Sequence, residues 1–289
     1  MKGYEMIKKS EHLYQLSDST YVLMFPEDQE LGNAGIVLTR EGVVLIDCDV
    51  RSIDELFAIL PQLTDKPVKY VINSHHAFDH TSANCFLAEK GAILVGSKVC
   101  REELMRHGEH NFKRWSDRRS DVRKLLQEKG TKVALHHITF DHELCIDLGG
   151  ERIELFFCGH AHTPGDIIVY LPKDQILFAG DLLWFGYFPN IREAIVPNQI
   201  SVANRILEFP VKSYIPGHGH ISSDRNEVIR MRDFLSLLYE SVKGMVEEGK
   251  PFAEIKRLED SLAQKNSDWV GRQFLTRAIE VLYQAMMKR

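Results

Sequence analysis

Four short apolar runs in this chain each lead into a metal-ligand type of residue, and that recurrence constrains the fold more than any other feature. Val43-Val44-Leu45-Ile46 ends in Asp47. The run Val68 to Ile72 precedes Asn73-Ser74-His75-His76-Ala77-Phe78-Asp79-His80, and Arg152 to Phe157 precedes Gly159-His160-Ala161-His162-Thr163-Pro164-Gly165-Asp166. Gln175 to Phe178 leads to Gly180-Asp181. The first of these, Val43 to Ile46, is short and continuous, as suits a strand buried on both faces. In α/β sheets the loops beyond the carboxyl ends of strands carry the chemistry, because they vary while the strands hold them. One histidine in a loop is more often packing than ligand. Four runs repeating the pattern, with His218 in Pro216-Gly217-His218-Gly219-His220, point instead to one imidazole and carboxylate centre of the kind that holds a transition metal.

The remaining pattern is alternating strand and helix. His12 to Leu16, Tyr21 to Phe25 and Gly35 to Thr39 read as a meander, and Arg51 to Leu60 as a helix stopped by Pro61. The charged stretch Ser97 to Lys129 predicts two helices. Strands resume at Val133 to His136, and Gly149-Gly150 marks a hairpin before Arg152 to Phe157. Ile167 to Leu171 and Gln175 to Phe178 follow as a pair. Beyond Asn226 the pattern is helical, over Asn226 to Gly249, Phe252 to Gln264 and Trp269 to Met287. The expected division is a site-bearing domain over residues 1–223 and a helical extension over 224–289, serving as a packing layer or cap, with a homodimer face as the alternative.

Composition excludes several classes. With 289 residues, 44% hydrophobic, 27% charged and a formal charge of −5, the chain fits one large α/β domain with an appended element. No basic stripe with interleaved aromatics suggests nucleic acid. The run Lys113, Arg114, Arg118, Arg119 is broken by Asp117 and Asp121 and reads as a solvated helix face rather than a phosphate-binding patch. No apolar run nears the roughly 20 residues that span a bilayer, and the amino terminus lacks a signal-type apolar core, so a cytoplasmic location is expected. Cys48, Cys85, Cys100, Cys145 and Cys158 are scattered without a CxxC pair and read as reduced thiols.

The ordered motifs resemble those of the metallo-β-lactamase superfamily over about residues 10–222. The family's His-x-His-x-Asp-His reads here His75-His76-Ala77-Phe78-Asp79-His80. Its His-Thr is His162-Thr163, its Gly-Asp is Gly180-Asp181, its last Gly-His is Gly217-His218, and Asp47 matches the early aspartate that supports a ligand histidine. The resemblance implies an α/β fold, a four-layer αβ/βα sandwich, with the metal site at one edge of two packed sheets. It implies one metal site from Asp79, His80, His218 and Asp181, and another from His75, His162 and the shared Asp181. Ala77 stands where the second site's remaining histidine belongs, and a methyl group cannot donate. His76 and His160 are the nearby imidazoles able to compensate; the alternative makes His160 a supporting or packing residue, and His107, His110, His136, His137 and His142 carry no supporting context. One or two zinc ions are implied, with iron or manganese compatible with the same donors. The implied activity is hydrolysis of an ester, lactone, thioester or amide bond in a small molecule, with Asp79 as a catalytic group and Trp184, Tyr187 and Phe188 lining an apolar substrate pocket. Competing readings are a metal-binding member without turnover, a phosphodiester hydrolase and iron-based redox chemistry.

Overall fold

The computed structural model describes residues 6–25 and 31–288. One sheet contains β1 (Ile7–Lys8), β2 (Leu13–Gln15), β3 (Thr20–Leu23), β4 (Ala34–Thr39), β5 (Gly42–Ile46), β6 (Val68–Ile72), β7 (Ile93–Ser97) and β8 (Ile138–Phe140), adjacent in chain order. Pairing is antiparallel up to β5 and parallel from β5 to β8. The switch follows from the connections. A tight turn at Arg40-Glu41 reverses the chain, whereas parallel neighbours need a crossover. Those crossovers are α1 (Ile53–Leu63), then α2 (Phe78–Thr81) with α3 (Asn84–Glu89), then α4 (Lys98–Arg118) with α5 (Ser120–Lys129).

The second sheet contains β9 (Glu143–Asp147), β10 (Arg152–Gly159), β11 (Asp166–Leu171), β12 (Ile176–Phe185) and β13 (Ser213–Gly219), in the order β13-β12-β11-β10-β9. Only β12 and β13 pair in parallel, joined through α6 (Val196–Ile206). The helices α7 (Arg225–Glu247), α8 (Phe252–Ile255), α9 (Leu258–Lys265) and α10 (Arg272–Met287) complete the chain.

Side-chain alternation along the strands sorts these elements into four layers. On β5, Val43 and Leu45 pack towards α1 and α4, while Val44 and Ile46 face the second sheet. On β11, Ile167, Val169 and Leu171 face the first sheet, and Ile168 and Tyr170 face α6 and α7. A period of two on a strand buried on both faces yields this result: helix, sheet, sheet, helix. The implied four-layer αβ/βα sandwich is the fold of the chain.

Several boundaries differ from the sequence expectation. Pro61 lies inside α1, which runs on to Leu63 rather than stopping at the proline. Val133 to His136 forms no strand, and the pairing with β7 is made by Ile138–Phe140. β12 continues through Asp181 as far as Phe185, so Trp184 and Phe185 belong to a strand and not to a loop. The helices beyond residue 223 pack on the second sheet: Met231 and Leu235 of α7 and Ile279 of α10 share one apolar cluster with Ile168 and Leu177. Among the described residues no helix is long and apolar enough to cross a membrane.

Candidate metal centre

The sequence-predicted ligand residues come together at one edge of the two sheets, most of them at or just beyond a strand end and Asp181 within β12 itself. Asp47 follows β5 with φ 56°, a left-handed conformation that a side-chain-bearing residue adopts only where its surroundings enforce it. Its Oδ1 accepts from Ser74 N at 2.7 Å, and its Oδ2 accepts from Ser74 Oγ at 2.6 Å and lies 2.9 Å from His80 Nδ1. Ser74 Oγ is also 3.0 Å from His75 Nδ1. Both imidazoles are thereby held from behind, leaving Nε2 to face the centre. Asp79 and His80 sit on α2, which Ala77 caps at its amino end.

The His162 loop is fixed in a comparable way. Asp166 Oδ2 accepts from the backbone N–H groups of His162 and Thr163 at 2.6 and 2.9 Å, and its Oδ1 accepts from Thr163 Oγ1 at 2.5 Å. Burial pushes the Asp166 carboxyl up to about 7 against these donors. His218 lies on β13, its ring stacked on Trp184 with centroids 4.5 Å apart. Trp184 Nε1 in turn donates to the Asp181 carbonyl at 2.9 Å.

Asp181 divides its two oxygens between two groups. Oδ2 lies 3.3 Å from His162 Nε2 and 3.9 Å from His75 Nε2. Oδ1 lies 3.3 Å from His80 Nε2 and 3.6 Å from His218 Nε2. Asp79 Oδ2 stands 3.1 Å from His218 Nε2 and 3.9 Å from His80 Nε2. Two donor groups result, His75-His162-Asp181 and Asp79-His80-His218. Donors about 2.1 Å from one tetrahedral ion stand about 3.4 Å apart, which is the scale of these separations. His75 Nε2, His80 Nε2 and Asp181 Oδ1 are buried with no hydrogen-bond partner among the described residues. Such atoms cost free energy unless something else satisfies them, and a cation does so. The residues therefore fit a divalent metal at each group.

The electrostatics match that reading. Burial alone would raise the Asp181 carboxyl, yet the imidazoles of His218 and His80 hold it below its ordinary range. Asp79 is likewise lowered against burial by the hydrogen bond from His218 and the charge of His80. Burial keeps His75 well below the usual imidazole value, as a neutral ligand requires.

A match to the family model described as "Metallo-beta-lactamase superfamily" covers residues 28–218, and so spans the complete donor set. The chain belongs to this superfamily. A metallo-β-lactamase type 2 from Bacillus cereus is 25% identical over 209 residues, covering 70% of this chain and 72% of that protein. A linear primary-alkylsulfatase from a Pseudomonas species is 22% identical over 250 residues, covering 72% of this chain but 46% of that protein. Among solved structures, a metallo-β-lactamase from Pontibacter korlensis superposes with a TM-score of 0.59 at 22% identity, covering 80% of this chain and 98% of that one.

Within this superfamily fold, some expected roles fall elsewhere. His160 turns away from the donors: the register shift between Phe157 and Gly159 re-aims the strand, and His160 Nε2 lies 2.7 Å from the Glu193 carbonyl. His76 also points towards Glu193, with Nε2 3.5 Å from Oε2. Phe188 does not line the cavity; it is 2% exposed and packs on Phe234 and Trp269. Trp184 and Tyr187 do line it. His136, without context in the sequence, is buried, with Nε2 2.9 Å from Asn73 Oδ1. Asn73 Nδ2 donates to the His80 carbonyl at 2.8 Å, and Asn84 Nδ2 donates to Asn73 Oδ1 at 2.7 Å. These three residues brace the ligand loop, and only the position of Asn73 at the head of the histidine cluster hinted at it.

Proposed function

We propose that this chain is a metal-dependent hydrolase acting on an ester, lactone, thioester or amide bond of a small molecule, with zinc as the favoured ion and iron or manganese compatible with the donors. The observation that carries it is Asp181, whose two oxygens turn to separate donor groups at the floor of a cavity of about 360 Å³. Metals held there supply a water of lowered pKa and a Lewis acid for the carbonyl oxygen. The protein's own part is positioning. Asp79 and Asp181 line the cavity, and Asp79, kept ionised by His218 and His80, can accept a hydrogen bond from the attacking water and so orient it. Phe78, Trp115, Trp184, Tyr187 and Phe274 supply walls that exclude bulk solvent and suit an apolar substrate body. The β-lactamase and alkylsulfatase names of the relatives support hydrolysis in general.

A second reading, metal binding without turnover, is favoured by Ala77, which leaves the His75-His162-Asp181 group one imidazole short of the family pattern. One experiment separates the two. Metal content by mass spectrometry is compared for wild type and His80→Ala, beside rates on a panel of ester, lactone, thioester, β-lactam and phosphodiester substrates. The hydrolase reading expects metal in the wild type, a clear drop in the variant, and a rate that chelation removes and zinc restores. Bound metal with a rate equal to metal-stripped protein across the panel supports the second reading. Equal metal content in both proteins sinks the assignment of the centre.

A further inference from the structure

The basic run on α4 is split by the helix. Asn111, Arg114, Trp115 and Arg118 recur at the spacing of one helical face, and all four line the cavity. Lys113 and Asp117 lie on the other face and pair with each other at 2.6 Å. Only part of the run is therefore the solvated surface that its sequence suggests. Arg192, in the segment after β12, joins Arg114 and Arg118 on the cavity wall.

Arg118 is exposed and lies over the Trp115 ring, 5.6 Å from its centroid, whereas Arg114 and Arg192 are poorly matched by their surroundings. Among the described residues, the Nε atoms of Arg114 and Arg192 are both buried with no hydrogen-bond acceptor. Arg192 Nη2 stands 3.8 Å from Glu193 Oε1, too far for a hydrogen bond, and that carboxylate is shared with His76. Burial lowers Arg192 from its ordinary value and the neighbouring Arg114 lowers it further; burial likewise lowers Arg114, with Arg118 and Arg277 adding to it against Glu193. Half-buried like charges with open donors oppose folding unless an anion meets them. The opposing carboxylates on the same wall, Asp79 and Asp181, are already engaged by imidazoles and belong to the metal centre.

We propose that Arg114 and Arg192, with Arg118 at the rim, form a clamp for an oxyanionic group of the substrate, carboxylate, sulfate or phosphate. The proposal rests on the hydrolase reading above and names its substrate class: a molecule with an apolar body and an anionic end remote from the bond that is cut. A planar guanidinium presents paired N–H donors that match two oxygens of such a group, which gives orientation as well as affinity. The apolar body lies against Trp115, Trp184 and Phe274, with the scissile bond at Asp181 and His218. Remote binding of this kind positions the reacting carbonyl.

Calorimetric titration of metal-stripped protein with 3-phenylpropionate and its uncharged counterpart 3-phenylpropanol, at fixed ionic strength, tests the clamp without any turnover. Wild type should bind the acid about tenfold more tightly than the alcohol, and the double variant Arg114→Gln, Arg192→Gln should lose that preference. Inorganic phosphate and sulfate, titrated in parallel, rank the oxyanions. Circular dichroism checks the fold, and Arg114→Lys with Arg192→Lys, which keeps the charge, should recover part of the preference. Equal affinity of wild type for acid and alcohol, or a full preference in the folded glutamine variant, overturns the clamp. On metal-loaded protein, the ratio of KM for an anionic ester to KM for a neutral one should rise in the glutamine variant. Arginine-dependent binding without any hydrolysis supports the clamp while removing the hydrolase reading. Hydrolysis with no dependence on the arginines removes the clamp alone.

Discussion

At the scale of the residue, Ala77 sets what the centre can hold. It stands at the amino end of α2 and lines the same cavity as His162 and Asp181. That group has two imidazoles and a shared carboxylate, whereas Asp79, His80 and His218 with Asp181 Oδ1 make a fuller set. The expectation is uneven occupancy, nearer one metal per chain than two. Ala77→His should raise the stoichiometry towards two, read by mass-spectrometric metal analysis after dialysis against limiting zinc. Two tightly held metals in the wild type would refute it. His76 and His160 do not repair the gap in this structure, because both face Glu193.

At the scale of the element, the centre depends on how closely β12 and β13 run. Gly180 pairs with Pro216 and Trp184 with His218, across register shifts that admit the bend at Asp181. Gly180 has φ 51°, and a Cβ there would fall 2.6 Å from Ser74 Cβ, against the serine that steadies His75. Gly217 is tighter still: a Cβ would overlap Asp181 Oδ1 and lie 2.8 Å from Asp181 N. Gly217→Ala should therefore displace the shared carboxylate and weaken metal affinity about 10–100-fold, measured by competition with a chromogenic chelator. Gly244→Ala is the control. A Cβ there meets nothing within 4 Å, and the position is inside α7, so the change should keep metal affinity and stabilise by about 0.5–1 kcal/mol in a denaturant titration. Equal metal loss in both variants would disprove the steric argument.

At the scale of the whole molecule, the carboxy-terminal helices complete the core and the cavity together. Phe188 N donates to Val270 O at 3.0 Å and Val270 N to Gly186 O at 2.9 Å, tying the segment before α10 to the chain leaving β12. Val270, Gly271, Gln273 and Phe274 then form part of the cavity wall. A chain ending at residue 223 would expose the cluster in which Met231, Leu235, Leu275 and Ile279 bury the outer face of the second sheet. It should lose cooperative unfolding and aggregate, whereas a separable extension would leave a sharp thermal transition near that of the full chain.

From the residues alone, the strands before Asp47 and before Asn73 could be placed and the donor types named, whereas the end of β12 could not. A continuous apolar run such as Val43 to Ile46 marks a strand, imidazoles and carboxylates after such strands are candidate donors, and the resemblance of the motifs to those of the superfamily singled out Asp47, His75, Asp79, His80, His162, Asp181 and His218 as one ordered set. Only the tertiary structure decided direction. His160 and His162 are alike in sequence, yet a bulge in β10 sends one towards Glu193 and leaves the other facing Asp181. Phe188 and Trp184 are both buried aromatics, yet Phe188 packs on Phe234 of α7 while Trp184 borders the cavity. Arg114 and Lys113 are neighbours on one helix, and about 100° of rotation places one on the cavity wall and the other in solvent. Residue identity fixes what a side chain can donate; the chain segments packed around it fix what it can reach.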